Sequence, residues 1–476
     1  MSDSAATGLT GAASPQLRSK TITVDWNEDD PDTAFAKAAA SGKPVLLYWG
    51  ASWCPPCNRI QATVLAGPDF GALAASFVAL HIDGDSIGAQ QMAERFRVRS
   101  YPTLVVYRPD GTEITRLPCE LDGARFMEIL GVAISAPRTV SESLSAALSR
   151  ERVLSDDEWR LLSFYSWDTD ERQVLKSLDF AATLASMTRA CTLPDAMLRL
   201  QWHTLHAAAM SGKGGIDQRN AVKQLEQTLA DAPAVRAQMD IVTLHAVDLV
   251  RFLTVPQSPA RIRLAQTWAR ALEQLENDAS LNLADQMAAL RTRVRMSRLG
   301  AAIDGIEEVA RARVARAAQS VTQASMRHQV CNTAAGLLSD AGLLDEAEQL
   351  LQAELARSHA PFYIMHELAA IAKKRGDPAS AVLWYERAWE SATGPTTRLQ
   401  WGAAYLQGLV DLAPHEATRI ERFASKMLEE IHAMDDASCQ RNRTQMERID
   451  ARLALWNRPG EHAAALRQAA RAAARR

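Results

Sequence analysis

Two rhythms of apolar and polar residues divide the chain near residue 136. Between 20 and 135, short apolar runs alternate with stretches of helical period. "TITVDW" alternates and is rich in β-branched residues, which predicts a strand. "DPDTAFAKAAASGK" opens on Asp and closes on Gly, the start and stop signals of a helix. "PVLLYW" is apolar throughout, as a central strand covered on both faces requires. A helical stretch runs on to about Leu65, followed by a second central strand in "FVALHID" and a short helix in "IGAQQMAERF". "TLVVYRPDGTEITRL" holds two strands about a Pro-Asp-Gly turn, and "LDGARFMEIL" closes the unit as a helix. The order β-α-β-α-β-α-β-β-α predicts an α/β layer structure with a buried sheet.

Over residues 136–460 the strand pattern disappears. "APRTVSES" marks the boundary, with Thr139 and Glu142 in capping-box spacing, and Ser155 and Glu158 repeat that signature. Amphipathic helices follow, separated by breakers such as "SGKGGID", "VPQSPA", "KRGDPAS" and "SATGPTT". "SDAGLLDEAEQLL" and "KKRGDPASAVLWY" superpose at a shift of about 34 residues, the period of a tetratricopeptide-like helix–turn–helix unit. Gly342 then falls on Gly376, Ala347 on Ala381 and Leu351 on Tyr385. Ala388 also fits, Glu354 does not, and Ala417 opens a looser third copy. The expectation is an all-α helical-repeat domain, with an irregular helical bundle as the alternative. Tyr363, Trp384, Tyr385 and Trp389 recur at helical spacing and suit either packing between repeats or a concave peptide-binding face.

A chain of 476 residues exceeds one core, and 47% hydrophobic, 23% charged residues and a net charge of −3 describe an ordinary globular protein. That balance carries no nucleic-acid footprint. The absence of a long apolar run speaks against a membrane span. Residues 1–19 read as a small, polar, disordered leader without the features of a secretory signal, and 461–476 as a basic tail. The expected compartment is the cytoplasm, where thiols stay reduced.

Six cysteines are too few for a disulfide scaffold. Only "SWCPPC" has informative spacing. A structural clip, half a metal site and a reacting pair all fit a bare Cys-x-x-Cys. A zinc site needs a second ligand pair, and none is apparent. His203 and His206 can share a helix face without a third ligand, so no metal is expected. Between a buried strand and a helix, however, Cys54 would stand at the helix N-terminus, where unpaired amide groups and the helix dipole favour a thiolate. Cys57, one turn on, lies on the same face. Pro55 and Pro56 suit a first helical turn and stiffen it. Trp53 offers a flat apolar wall, and Pro102 in "SYPTLVVY" precedes a strand, next to Tyr101.

"YWGASWCPPC" followed by "YPTLVVY" resembles a thioredoxin-family domain over roughly residues 20–133. The resemblance implies a central mixed sheet flanked by helices, Cys54 as nucleophile, Cys57 as resolving thiol, and Pro102 as a cis-proline. Trp53, Pro55, Pro56, Tyr101 and Pro102 would shape the substrate groove. "CPPC" is also similar to tryparedoxin-like and nucleoredoxin-like sites, and the two-part plan resembles bacterial chaperedoxins, which combine client holding with thiol protection. The departures are Tyr48 where typical thioredoxins carry a buried aspartate, Ala79 at its lysine partner, and Ala62 at the helix-kinking proline.

Of the lone cysteines, Cys119 falls in a loop that flanks the site in this fold and is a candidate third thiol, or a small buried hydrophobe. Cys191, Cys331 and Cys439 read as core residues. Two functions follow. One is a cytoplasmic thiol–disulfide oxidoreductase without bound cofactor, restored by an upstream reductase, whose helical repeats select protein clients. The other is a chaperone or scaffold in which the thiol pair is only a redox switch.

Overall fold

The computed structural model describes residues 24–170, 173–212, 215–320 and 324–457. The leader 1–19, residues 21–23 of the first expected strand and the tail 461–476 lie outside that range. Strands β1 (Trp26–Glu28), β2 (Val45–Gly50), β3 (Val78–Asp83), β4 (Thr103–Tyr107) and β5 (Glu113–Leu117) form one mixed sheet in the order β1-β3-β2-β4-β5. β3 runs parallel to β1 and β2, while β4 is antiparallel to β2 and β5. β2 is buried along its whole length, as its unbroken apolar run requires.

The helices of this part are α1 (Pro31–Ser41), α2 (Pro55–Ile60), α3 (Pro68–Leu73), α4 (Ala89–Phe96) and α5 (Gly123–Ser135). Asp30 caps α1 by accepting from the Thr33 amide, and Gly42 ends it at φ 69°, a conformation that costs a glycine little. Leu46, Tyr48, Leu104 and Val106 face Ile60, Phe126 and Ile129 on one side of the sheet. Val45, Leu47, Trp49 and Leu80 face Ala34, Ala38 and Phe96 on the other. Past Ile60 the chain continues as a π turn over Gln61–Leu65. The altered helix winding therefore falls at Ala62, where the family's proline would sit. The sequence pattern gave no sign of α3.

After Leu117 every regular element described is helical. Thr139 with Glu142 and Ser155 with Glu158 form the two capping boxes. Gly342 and Gly376 end their helices with positive φ, and Ala347 and Ala381 are fully buried where neighbouring helices meet. Helices 324–341 and 344–355, 361–374 and 378–391, and 395–412 and 417–432 pack as consecutive pairs. Cys191 and Cys331 are buried. Cys439 differs from expectation: it is half-buried at the start of helix 440–456, a position that helical periodicity does not distinguish from a core one.

One apolar core crosses between the two regions. It runs from Leu46, Cys57 and Phe126 through Leu162 and Leu200 to Trp401, Tyr405 and Met427. No helix of the described residues is long and apolar enough to cross a membrane.

Candidate active site

Cys54 caps α2, at the point where β2 hands the chain to a helix. Pro55 occupies the first helical position, where a missing N–H costs nothing. The Cys57 amide, one turn in, donates to the Cys54 sulfur at 3.3 Å. Cys54 is 3% exposed and Cys57 1%, both as free thiols. Burial, with the Cys54 sulfur alongside, holds the Cys57 thiol well above its ordinary pKa. Pro55 is buried and Pro56 exposed.

Tyr48 lies beneath this pair. Its hydroxyl folds under Gly50, where a Cβ would stand 2.7 Å from the oxygen, so a glycine makes its room. The hydroxyl is within hydrogen-bonding reach of the Cys57 sulfur, and burial beside the cysteine sulfurs pushes its own pKa far up. It is thus a neutral group in the place of the family's carboxylate. The ring stacks on His81 with centroids 4.9 Å apart.

The Tyr101–Pro102 peptide bond is cis. Cys119 packs beside it, its sulfur 3.7 Å from the Pro102 carbonyl oxygen, and burial raises its pKa well above that of a free thiol. Arg59 on α2 donates to the Cys119 carbonyl oxygen at 2.8 Å.

The region that would be an open groove is roofed by the helical part of the chain. Trp53 is 8% exposed. Its ring lies 5.8 Å from that of Tyr101 and 6.2–6.3 Å from those of Phe362, Tyr363 and Trp401. Its indole N–H donates to Asp85, whose same oxygen also accepts from the Thr397 hydroxyl. Burial raises the Asp85 pKa, and these two donors oppose the rise. His328 Nε2 meets the Trp53 carbonyl oxygen at 3.2 Å, and His359 Nε2 meets that of Ser52 at 3.0 Å. Burial lowers the His328 pKa to about 4, so its ring is neutral near pH 7 and Nε2–H is the donor that a carbonyl demands. The Arg441 guanidinium lies 4.6 Å over the Tyr101 ring, and its amide donates to Gln90 at 3.1 Å. Asp285 takes Arg59 at 2.7 Å, and Asp122 takes Arg236 at 2.9 Å.

The structure therefore brings together Trp53, Cys54, Cys57, Tyr101, Pro102 and Cys119, and adds residues no motif marked: Asp85, His328, His359, Phe362, Thr397, Trp401 and Arg441. Tyr363 stood out in the sequence as a recurring aromatic. Its surroundings are Trp53 and helix 395–412. His203 is half-buried away from this site with its Nε2 enclosed and unpartnered, and His206 stacks on His245 at 3.6 Å.

A family model described as a thioredoxin-like domain matches residues 31–133. The chain is 33% identical over 119 residues to a thioredoxin H-type of Fagopyrum esculentum, covering 24% of this chain and 87% of that protein. It is 30% identical over 123 residues to a thioredoxin H-type of Oryza sativa subsp. indica, covering 25% of this chain and 90% of that protein. It is 35% identical over 103 residues to the thiol:disulfide interchange protein DsbD 1 of Pseudomonas aeruginosa, but spans 17% of that relative's length and 21% of its own.

Proposed function

Because the chain belongs to the thioredoxin family, we propose that it is a thiol–disulfide oxidoreductase acting on protein disulfides through Cys54 and Cys57, with its helical region engaging clients or partners. The observation that carries this reading is the place of Cys54 at the start of α2, with the Cys57 amide already directed at its sulfur. Helix starts favour an anion, and the thiolate is the species that attacks.

Cys54 thiolate attacks one sulfur of the client disulfide, and the client's other sulfur leaves as a thiolate and takes up a proton. Cys57 then gives up its proton and attacks the Cys54 sulfur. The mixed disulfide breaks, the second client sulfur leaves and is protonated, and a Cys54–Cys57 disulfide remains. Two electrons have passed to the client, and an upstream reductase returns them. The cycle requires no bound cofactor. In a reducing compartment such as the cytoplasm the net direction is client reduction. Trp53, Pro55, Pro56, Tyr101 and Pro102 frame the reacting sulfurs, and Cys119, a buried neutral thiol, acts as packing rather than as a third exchanging sulfur.

Replacing Cys57 by Ser stops the cycle at the mixed disulfide. Covalent client adducts on Cys54 that a reductant releases are the expected result. A second reading, a chaperone or scaffold with the dithiol as switch, draws support from the burial of Cys54 under the helices. It prevails if Cys57→Ser gathers no adducts while the chain still suppresses aggregation of unfolded proteins.

A further inference from the structure

Thiol–disulfide exchange needs a clear approach to the attacking sulfur. Here that approach is filled. His328 and His359 hold the two carbonyls just before Cys54, Asp85 ties the Trp53 indole to Thr397, and Phe362, Tyr363 and Trp401 enclose the Trp53 ring. Arg441 covers Tyr101 on the opposite rim, beside the cis-proline. A folded client cannot lay a chain along Tyr101–Pro102 while these residues are in place.

The seam also carries unmet polar groups. Asp85 Oδ1 and the Trp401 indole N–H are buried in it without partners. Each unmet polar group costs stability when dry and regains water when the seam parts. Its direct links combine aromatic packing on Trp53 with hydrogen bonds from His328, His359 and Thr397.

We propose that helices 324–341, 361–374 and 395–412 form a gate over the dithiol, closed in this arrangement, and that a client reaches Cys54 when they lift from Trp53. The gate rests on the exchange reading only for the identity of what passes it. Closure itself is a matter of access and is measured without any turnover.

The test is the rate at which iodoacetamide labels Cys54 in the reduced full-length chain, read by mass spectrometry of the Cys54 peptide, against the same chain unfolded in guanidinium. The variants are His328→Gln with His359→Gln, and separately Arg441→Ala, whose guanidinium lies over Tyr101 and donates to Gln400 of helix 395–412 at 3.1 Å, so that one remains informative if the other fails to fold. Wild-type Cys54 should label far more slowly than in the unfolded chain. Labelling should accelerate roughly tenfold in either folded variant, the shift in opening expected when one or two buried hydrogen bonds are lost. Wild-type labelling as fast as in the unfolded chain overturns the gate. So does a wild-type rate in both variants with circular dichroism unchanged. Slow labelling that the variants relieve, together with an empty Cys57→Ser trap, would leave the gate standing and remove the exchange reading.

Discussion

The two regions keep their polar groups in different places. Residues 24–135 hold a sheet whose central strand is wholly apolar or aromatic, keep one fully buried arginine, Arg116 paired with Glu113 on the edge strand β5, and concentrate their sulfur chemistry at one strand-to-helix junction. The helical region scatters buried charge between its helices. Arg199, 1% exposed, lies 2.5–3.0 Å from Asp240 and donates to the Ser163 carbonyl, and Arg293 meets Glu276 at 2.8 Å. A sheet satisfies its own backbone and can be filled with hydrocarbon, whereas helices packed at varied angles leave gaps that long, many-donor arginines fill. The lesson is that a reactive site can be set by neighbours three residues apart, while access to it is set by residues hundreds of positions away.

The largest effect should come from breaking a buried pair in the helical region. Asp240→Ala leaves Arg199 uncompensated, a loss of about 3–5 kcal/mol. Since one apolar core spans both regions, the thermal unfolding transition should stay single and move down as a whole. Two separate transitions by calorimetry, with the 24–135 part unmoved, would show the regions to be independent and break the comparison.

Acid should act next. His328 and His366 are each lowered by burial to about 4, with His359 adding to the effect on His328. A depressed folded-state pKa gives stability that is complete above the unfolded value near 6.5 and is lost as pH falls toward 4. For His328 the loss is on the order of 3 kcal/mol at the lower end. The urea midpoint should therefore fall between pH 6.5 and 4, and His328→Gln should remove part of that slope. A slope identical in the variant would mean that His328 does not sense the seam.

Legibility in the sequence followed the range of the interactions. The caps of α1, the apolar run of β2 and the Pro-Asp-Gly turn are local signals, and each element formed where they lie. The first strand was less legible, because of the described residues of "TITVDW" only Trp26 enters the sheet, which continues to Glu28 by pairing with β3. In the helical region the stops and small residues were visible, while the direction each helix faces was not. His328 binds a carbonyl 275 positions away and His359 one 307 positions away, and no period along a chain encodes such a meeting. Cys119 was placed beside the site through resemblance alone, and the proximity of its sulfur to the Pro102 carbonyl follows from β5 pairing with β4.

The smallest effect sharpens the junction itself. Cys57 must become an anion in a dry pocket to resolve the mixed disulfide, and burial together with the neighbouring Cys54 and Cys119 sulfurs opposes that ionisation. The Tyr48 hydroxyl within reach of that sulfur can donate to the growing charge while keeping its own proton, since burial makes its ionisation unfavourable. Tyr48→Phe keeps the ring that stacks on His81 and removes only that donor. Resolution should slow by about tenfold, the worth of one hydrogen bond to a charged acceptor. Its pH profile should shift upward, because a less stabilised thiolate forms at higher pH. Stopped-flow decay of a preformed Cys54 mixed disulfide from pH 6 to 9 measures both. An unchanged rate and profile in a variant of unaltered thermal stability would assign Tyr48 to packing and leave backbone amides as the sole polar support of the resolving sulfur.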